Sequence, residues 1–97
     1  MIQIHDTFIC KPGNASKLAK MCKESMGGFP ETVNILTDMT GQFHRVIMVS
    51  QFKSLTDYEK AMQKMAKPTP AMKKMNEKFA NMNEMYTSGS REIYKVW

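Results

Sequence analysis

Two stretches of this chain carry apolar side chains on both faces of a predicted β-strand, which constrains the fold more than any other feature. Successive side chains point to opposite faces of a sheet, so apolar residues at both odd and even positions indicate a strand buried on both sides. The stretches are 2–10 and 43–52, with apolar residues Ile2, Ile4, Phe8, Ile9, Cys10, Phe43, Val46, Ile47, Met48, Val49 and Phe52. The helices of this chain suffice to cover one sheet face only. We therefore predict that a second copy covers the other face, in a homodimer.

The length and composition indicate one small globular domain. The chain has 97 residues, of which 42% are hydrophobic and 24% are charged, which is ordinary for a globular protein. No stretch approaches the roughly 18 consecutive apolar residues of a membrane helix. Residues 1–6 lack the basic and then apolar pattern of a secretory signal. We expect one domain over 1–97, located in the cytoplasm and without a membrane partner.

The positive charge is spread over predicted helices. The formal net charge is +5, from 14 Lys and Arg against 9 Asp and Glu. The lysines alternate with apolar positions, as they do on solvated helix faces. Few aromatic residues lie among them, so no nucleic-acid partner is expected. Phosphate loops, serine elbows and nucleotide fingerprints are not found in the sequence, which argues against hydrolysis and phosphoryl transfer.

The two cysteines favour a structural role. Cys10 lies in a predicted strand and Cys22 in a predicted helix. In a chain without a secretory signal, two such thiols are more often small buried hydrophobic groups than a disulfide. Neither has a Cys or His at the two-to-four-residue spacing of zinc motifs, so no metal is predicted. No cofactor is expected either.

The first half of the chain predicts a strand, a helix and a hairpin. Proline and glycine favour turns, Asn is a good N-cap, and a Gly pair ends a helix. In order, the predicted elements are a strand 2–10, a turn at Lys11-Pro12-Gly13, a helix from the N-cap Asn14 to about Met26, a stop at Gly27-Gly28, a strand 31–38, a reversal at Thr40-Gly41 and a strand 43–52.

The second half predicts a broken helix and a terminal strand. Ser54 with Asp57 three residues later resembles a capping box, and Thr69 with Pro70 is typical of a second helix start. Apolar residues then recur at three- and four-residue steps as far as Tyr86. In order, the elements are a helix from Ser54, a break at Pro68 and Pro70, a helix from Thr69 to Tyr86 ended by Gly89, and a strand 90–97.

This order of elements predicts an α+β, ferredoxin-like βαββαβ fold with a broken second helix and a four-stranded antiparallel-type sheet. The first and third strands are expected at its centre as parallel neighbours, with the helices on one face. That arrangement brings His5 near His44 at one sheet end. It also predicts an ion pair between Asp6 and Arg45 inside the dimer, where a lone charge would be unfavourable.

Several short motifs resemble one superfamily along nearly the whole chain. They are a strand ending in Lys11-Pro12-Gly13, a hairpin whose second strand continues into the segment 54–59, Ser-Leu-Thr-Asp-Tyr-Glu, and a closing strand 90–97, Ser-Arg-Glu-Ile-Tyr-Lys-Val-Trp. Together they resemble the dimeric α/β barrel superfamily, and within it the NIPSNAP-like and antibiotic-biosynthesis-monooxygenase-like domains. The resemblance implies two ferredoxin-like protomers with packed sheet faces, and a ligand cavity between helices and sheet.

The superfamily includes cofactor-free oxygenases of electron-rich aromatics, heme-degrading enzymes, cyclases, isomerases and domains without known activity. The heme degraders carry an Asn on the first strand six residues before the lysine that precedes the turn glycine. Here His5 has that offset from Lys11, so the chain departs from the pattern. The Trp and His that those enzymes carry on a later helix have no counterpart between Ser54 and Tyr86.

His5 is the predicted catalytic residue, because imidazole exchanges a proton near neutral pH. The alternative is a histidine hydrogen-bonded in or beside the core, since no acid or nucleophile is spaced to it in the sequence.

The 11 methionines allow three interpretations. Pairs three residues apart on a helix can bind Cu(I), can pack in the core, or can line an adaptable apolar cavity. Core packing is the commonest use, and the cavity gives the more specific hypothesis. The predicted substrate-binding residues are His44, Met48, Tyr58, Met62, Phe79, Met82 and Tyr86.

These observations favour a homodimer that binds a small apolar or aromatic molecule between helices and sheet. One expectation is a cofactor-independent monooxygenase in which His5 acts as the base or orients the substrate. The competing hypotheses are a non-enzymatic module that binds heme or a lipophile, and a structural dimer without a ligand pocket.

Overall fold

The computed structural model describes residues 1–67, 69–78 and 80–97. Its elements are β1 (Ile2–Cys10), α1 (Ala15–Met26), β2 (Thr32–Thr37), β3 (Arg45–Phe52), α2 (Leu55–Met65), α3 (Pro70–Lys78), a short 3-10 helix (Ala80–Glu84) and β4 (Tyr86–Lys95). The four strands form one sheet in the order β2-β3-β1-β4. This confirms the ferredoxin-like α+β fold with a broken second helix.

The central strands β1 and β3 are antiparallel, and the prediction that they are parallel neighbours is wrong. Ile2 pairs with Phe52 and Ile9 pairs with Arg45. The physical reason is the connection between the strands. Helix α1 crosses over so that β2 runs parallel to β1 one strand away, and the β2–β3 hairpin then places β3 between them in the opposite direction.

This register separates the two histidines. His5 lies opposite Val49, in the first half of β1. His44 precedes β3 at the other end, where its backbone carbonyl accepts a hydrogen bond of 2.7 Å from the Cys10 amide. The predicted approach of His5 to His44 is therefore wrong, because parallel strands would align the two residues and antiparallel strands do not.

The hydrophobic core lies between α1 and one face of the sheet. Directly paired residues of antiparallel strands share a face, so the even positions of β1 and of β3 point to the same side. The buried core cluster is Cys10, Leu18, Cys22 and Val46, with Phe8, Ala15, Ala19, Ile35, Met82, Met85 and Tyr86 packed around it. We call this side of the sheet the helix face.

The opposite side of the sheet, which we call the open face, carries the odd positions of β1 and β3. Its apolar residues are Ile9, Leu36, Ile47 and Val49, with Tyr94 on β4. Leu36 and Tyr94 are 42% and 45% exposed. The two-faced apolar pattern of the central strands is thus present, with α1 packed on the helix face.

Helices α2 and α3 have no buried side chain among their described residues, although their apolar residues recur at helical steps. Leu55, Met62, Met65 and Met75 are between 38% and 59% exposed. Tyr58 of α2 does reach the sheet, with its ring centroid 5.3 Å from that of Phe52. Helical periodicity therefore marked the correct element type but overstated its burial.

The side-chain caps of α2 and α3 are confirmed, whereas that of α1 is not. The Ser54 hydroxyl accepts a hydrogen bond of 3.2 Å from the Asp57 amide. Thr69 Oγ1 likewise accepts one of 3.3 Å from the Met72 amide. Asn14 occupies the N-cap position of α1, but its side chain makes no capping hydrogen bond, and its φ of −100° and ψ of −12° already lie near helical values.

The helix predicted from Thr69 to Tyr86 is wrong in its second half. The α-helix α3 ends at Lys78, a short 3-10 helix follows, and β4 begins at Tyr86. Gly89 therefore lies within the strand and does not end a helix. The reason is tertiary pairing, since Tyr86 lies opposite Cys10 and its ring packs 4.9 Å from that of Phe8.

The β2–β3 hairpin has a longer loop than the predicted reversal at Thr40-Gly41. The strands end at Thr37 and resume at Arg45. His44 has a φ of 62°, in the left-handed region that few residues other than glycine adopt. The Arg45 amide donates to Asp38 Oδ1 at 2.9 Å, which closes the loop.

No helix within residues 1–67, 69–78 and 80–97 combines the length and apolar character required to span a lipid bilayer.

Candidate functional site

A cleft of about 290 Å³ opens on the helix face along the pairing of β1 with β4. We call it the β1–β4 cleft. Strand pairing creates it, because Asp6 lies opposite Arg91 and Phe8 lies opposite Gly89. The lining residues are Asp6, Phe8, Tyr86, Gly89, Ser90 and Arg91.

The polar end of the cleft is an ion pair between Asp6 and Arg91. Arg91 Nε donates a hydrogen bond of 2.5 Å to Asp6 Oδ1. The Asp6 side chain is 11% exposed and that of Arg91 is 49% exposed, so the carboxylate lies below the guanidinium. The hydrogen bond to Asp6 raises the pKa of Arg91 above its ordinary value, against a smaller opposing effect of burial. Arg91 is therefore cationic at any physiological pH.

The predicted ion pair of Asp6 with Arg45 is wrong. Asp6 lies on the helix face opposite Met48, whereas Arg45 lies opposite Ile9 on the open face. Arg45 instead stabilises the hairpin loop, where its Nη2 donates a hydrogen bond of 3.2 Å to the Thr40 carbonyl. Even positions of β1 and β3 point to the helix face and odd positions point to the open face, so the side chains of Asp6 and Arg45 lie on opposite sides of the sheet.

Aromatic rings form the apolar part of the cleft. The rings of Phe8 and Tyr86 are 4.9 Å apart and tilted by 51°. Beyond the ion pair, the Arg91 guanidinium carbon lies 6.0 Å from the centroid of the Tyr58 ring. The cleft thus places a cation beside flat apolar surfaces, which suits a small aromatic molecule with a polar substituent.

Gly89 leaves room at the base of the cleft. A methyl group at this position would meet the Thr7 carbonyl oxygen at 3.5 Å and Phe8 Cδ1 at 3.7 Å, which are ordinary van der Waals distances. Its φ is not in the left-handed region, so a side chain is compatible with the backbone. A larger residue at position 89 would therefore occupy the cleft without straining the strand.

His5 lies on the other side of the sheet, in a polar cluster on the open face. Its Nε2 is 3.0 Å from Gln3 Oε1, and its ring centroid is 4.8 Å from that of Tyr94 in an edge-to-face arrangement. The Tyr94 hydroxyl donates a hydrogen bond of 2.7 Å to Glu92 Oε2, and this bond raises the pKa of Tyr94. Gln51 also belongs to the cluster, because its Oε1 accepts a hydrogen bond of 3.3 Å from Gln3 Nε2.

The structure separates the predicted site residues into four places. Tyr86 lines the β1–β4 cleft, and Met48, Tyr58, Met62 and Met82 lie on the helix side of the sheet, with Met62 38% exposed and Met82 packed on the core. His44 lies in the hairpin loop and His5 lies on the open face. Phe79 lies outside the described residues. The sheet therefore separates His5 from the cleft within one protomer.

A second depression, also of about 290 Å³, lies between the end of α1 and α3. Phe29, Met72 and Met75 line it together with Glu24. Glu24 accepts a hydrogen bond of 2.6 Å from Lys78, which ties the two helices together. Met72 and Met75 are one of the methionine pairs spaced three residues apart, and the charged residue among those that line this depression, Glu24, is exposed.

Sequence reasoning missed Arg91 and Gly89. Arg91 stands in an alternating terminal strand, where its position opposite Asp6 follows only from the register. Gly89 was assigned to a helix stop. The signal available was Asp6 itself, a charged residue on the otherwise apolar even face of β1, which required a cationic partner from some other strand.

Neither a protein-family model nor a curated protein matches this sequence to a significant degree. Solved structures do match. A NIPSNAP family protein from Agrobacterium tumefaciens str. C58 has a TM-score of 0.79 at 14% identity, with 97% of this chain and 90% of that chain covered. An uncharacterized NIPSNAP domain protein from Burkholderia xenovorans has a TM-score of 0.80 at 10% identity, with 100% and 95% covered.

The match extends to a second group. An antibiotic-biosynthesis-monooxygenase-like protein from Chloroflexus aurantiacus J-10-fl has a TM-score of 0.64 at 8% identity, with 99% of this chain and 92% of that chain covered. At these identities the likeness concerns the backbone and not the site residues. The chain therefore has the fold shared by NIPSNAP family and antibiotic-biosynthesis-monooxygenase-like proteins, as its sequence resemblance implied.

Proposed function

We propose that this protein is a homodimer that binds a small apolar or aromatic molecule in the β1–β4 cleft of each protomer. The observation that carries the proposal is the cleft itself, with rings of Phe8 and Tyr86 beside the Asp6–Arg91 pair. Ligand sites are typically concave and mostly apolar, with a few placed polar groups. The cleft combines these features.

The proposed dimer brings the open faces of two sheets together. Leu36, Ile47 and Tyr94 place apolar surface on this face, and a partner sheet would remove that surface from water. The β1–β4 cleft lies on the helix face, so this association leaves it accessible. The proposal includes a cytoplasmic location, because Cys10 and Cys22 are free thiols, as is usual in a reducing compartment.

Binding in the cleft is tested by NMR titration of the intact protein with a neutral aromatic amide, 1-naphthamide. We expect chemical-shift changes centred on Phe8, Tyr86 and Gly89. In the Gly89→Val variant the new side chain occupies the cleft, so affinity should fall at least about tenfold, which corresponds to about 1.4 kcal/mol. Thr56→Val on the exposed side of α2 is the control, since it introduces the same side chain away from the cleft and from the open face. Equal loss in both variants, or no response of the wild type, would refute binding in the cleft.

A second candidate function is cofactor-independent monooxygenation, favoured by the fold shared with antibiotic-biosynthesis-monooxygenase-like proteins. A base removes a proton from an electron-rich aromatic CH₂ group, and the carbanion reacts with O₂. The carbon becomes a carbonyl, and the second oxygen atom leaves as water. His5 is the candidate base, and in the proposed dimer it lies between the two sheets.

Oxygen uptake with a panel of hydroxyaromatic compounds tests this activity. If His5 is the base, His5→Ala should abolish uptake, while Asn14→Ala, remote from both sites, should leave it unchanged. Uptake that is unaffected by His5→Ala contradicts the assigned role. Absorbance titration with heme tests the competing hypothesis of a non-enzymatic heme-binding module. If heme binds in the cleft, the Soret band should shift saturably in the wild type and should not shift in Gly89→Val.

A further inference from the structure

The guanidinium of Arg91 is only partly used by its contacts within the protomer. Its Nε donates a hydrogen bond to Asp6, and its central carbon lies over the Tyr58 ring, 6.0 Å from the ring centroid. Among the residues that the structure describes, neither terminal nitrogen of Arg91 has a hydrogen-bond partner. A guanidinium carries five N–H donors in a planar fork. Four of them therefore remain for a ligand at a side chain that is 49% exposed.

The charges at the cleft favour an anionic group. Asp6 is the one acidic residue among its lining residues, and its carboxylate already accepts from Arg91. Because Asp6 is 11% exposed and Arg91 is 49% exposed, a molecule that enters from solvent meets the cation first. The net charge of +5 acts in the same direction over a longer range.

The cleft has a cationic part and an aromatic part, and one small molecule can contact both. Terminal guanidinium nitrogens bind planar oxyanions through paired hydrogen bonds, and aromatic walls bind flat rings. The rings of Phe8 and Tyr86 line the same cleft as the guanidinium. We propose that the ligand is a small aromatic acid, with its anionic oxygens on Arg91 and its ring against Phe8 and Tyr86. This inference rests on the proposed binding function of the cleft and specifies the chemical class of its ligand.

Calorimetric titration with 1-naphthoate and 1-naphthamide tests the charge preference, because the two probes share a ring and differ in one group. We expect the carboxylate to bind at least about tenfold more tightly, since hydrogen bonds between ionised partners are about twice as strong as neutral ones. The preference should decrease as salt is added. Equal affinities would overturn the anionic ligand and leave the binding function intact, whereas binding of neither probe would refute both.

A double variant assigns the preference to Arg91. Asp6→Asn with Arg91→Gln replaces the ion pair by two neutral side chains, so no buried charge is left alone. In this variant the affinities for 1-naphthoate and 1-naphthamide should become equal, because the cation that distinguishes the two probes is gone. Lys53→Gln removes an exposed positive charge between β3 and α2 and should keep the preference. A folded double variant that still prefers the acid would show that another cation binds it, which overturns the assignment to Arg91.

Discussion

At the residue scale, the unequal burial of Asp6 and Arg91 decides how much each side chain contributes to stability. Asp6 is nearly enclosed, whereas half of the Arg91 side chain is in water. A buried charge without its partner costs several kcal/mol, but an exposed cation is readily hydrated. The identity of this pair could not be predicted from the sequence, because Asp6 and Arg91 are 85 residues apart and only the strand register brings them together.

The Asp6–Arg91 pair should therefore respond asymmetrically to mutation. Arg91→Met leaves a buried carboxylate and should lower the free energy of unfolding by about 3 kcal/mol, whereas Asp6→Asn leaves a hydratable cation and should cost about 1 kcal/mol. Urea denaturation at neutral pH measures both values. Equal losses for the two single variants would contradict the difference in burial.

The Cys22 thiol gives a prediction for alkaline pH. Burial in the core raises its pKa from 9.0 to about 11, with a smaller contribution from Cys10. The folded state holds the thiol proton more tightly than the unfolded state does, so this contribution to stability is complete below pH 9 and is lost as the pH rises towards 11. Urea midpoints measured from pH 8 to 11 should fall less steeply in Cys22→Ala than in the wild type. Parallel slopes would show that the thiol is not protected in the fold.

At the scale of single elements, local signals located the starts of the helices, but they located neither the start of β4 nor the burial of the helices. Ser54 and Thr69 cap their helices as predicted. The step pattern that predicted a helix as far as Tyr86 was overridden by pairing of β4 with β1, because strand formation there satisfies backbone groups and packs Tyr86 on Phe8. The spacing of apolar residues is consistent with a helix at this point, but tertiary contacts decide whether the segment forms a helix or a strand.

The caps of α2 and α1 form a matched comparison. Ser54→Ala removes the hydroxyl that accepts from the Asp57 amide and should lower the free energy of unfolding by about 1 kcal/mol. Asn14→Ala should cost clearly less, since the Asn14 side chain makes no capping bond. Thermal or urea unfolding of the two variants measures the difference. A larger loss for Asn14→Ala would contradict the assigned caps.

At the scale of the whole molecule, the sheet divides the chemistry of the chain into two sides. The cleft with Arg91 is on the helix face, and the cluster around His5 is on the open face. In the proposed dimer, the helix face binds the ligand and the open face forms the interface between the two protomers. His5 and Tyr86, assigned to one site from the sequence, cannot act on the same atom within one protomer.

Ile47 provides the test of the dimer. It lies mid-strand on the open face, opposite Thr7 and Leu36, so Ile47→Glu would place a carboxylate between the two sheets. Sedimentation velocity at micromolar concentration should show a dimer for the wild type and a monomer for this variant. Thr56→Glu adds the same charge on exposed α2 and should remain dimeric. A wild-type monomer at every concentration would refute the association.

The sequence by itself determined the class of fold, because alternation, helical steps and turn residues are local and each predicts its own element. It also indicated that β1 and β3 are central and carry apolar side chains on both faces. Only the tertiary structure decided the direction of β3, and with it the partner of Asp6, the separation of His5 from His44 and the position of Gly89 in the cleft. The physical reason is that strand register depends on contacts between residues far apart in the chain, and a shift of one residue exchanges the two faces.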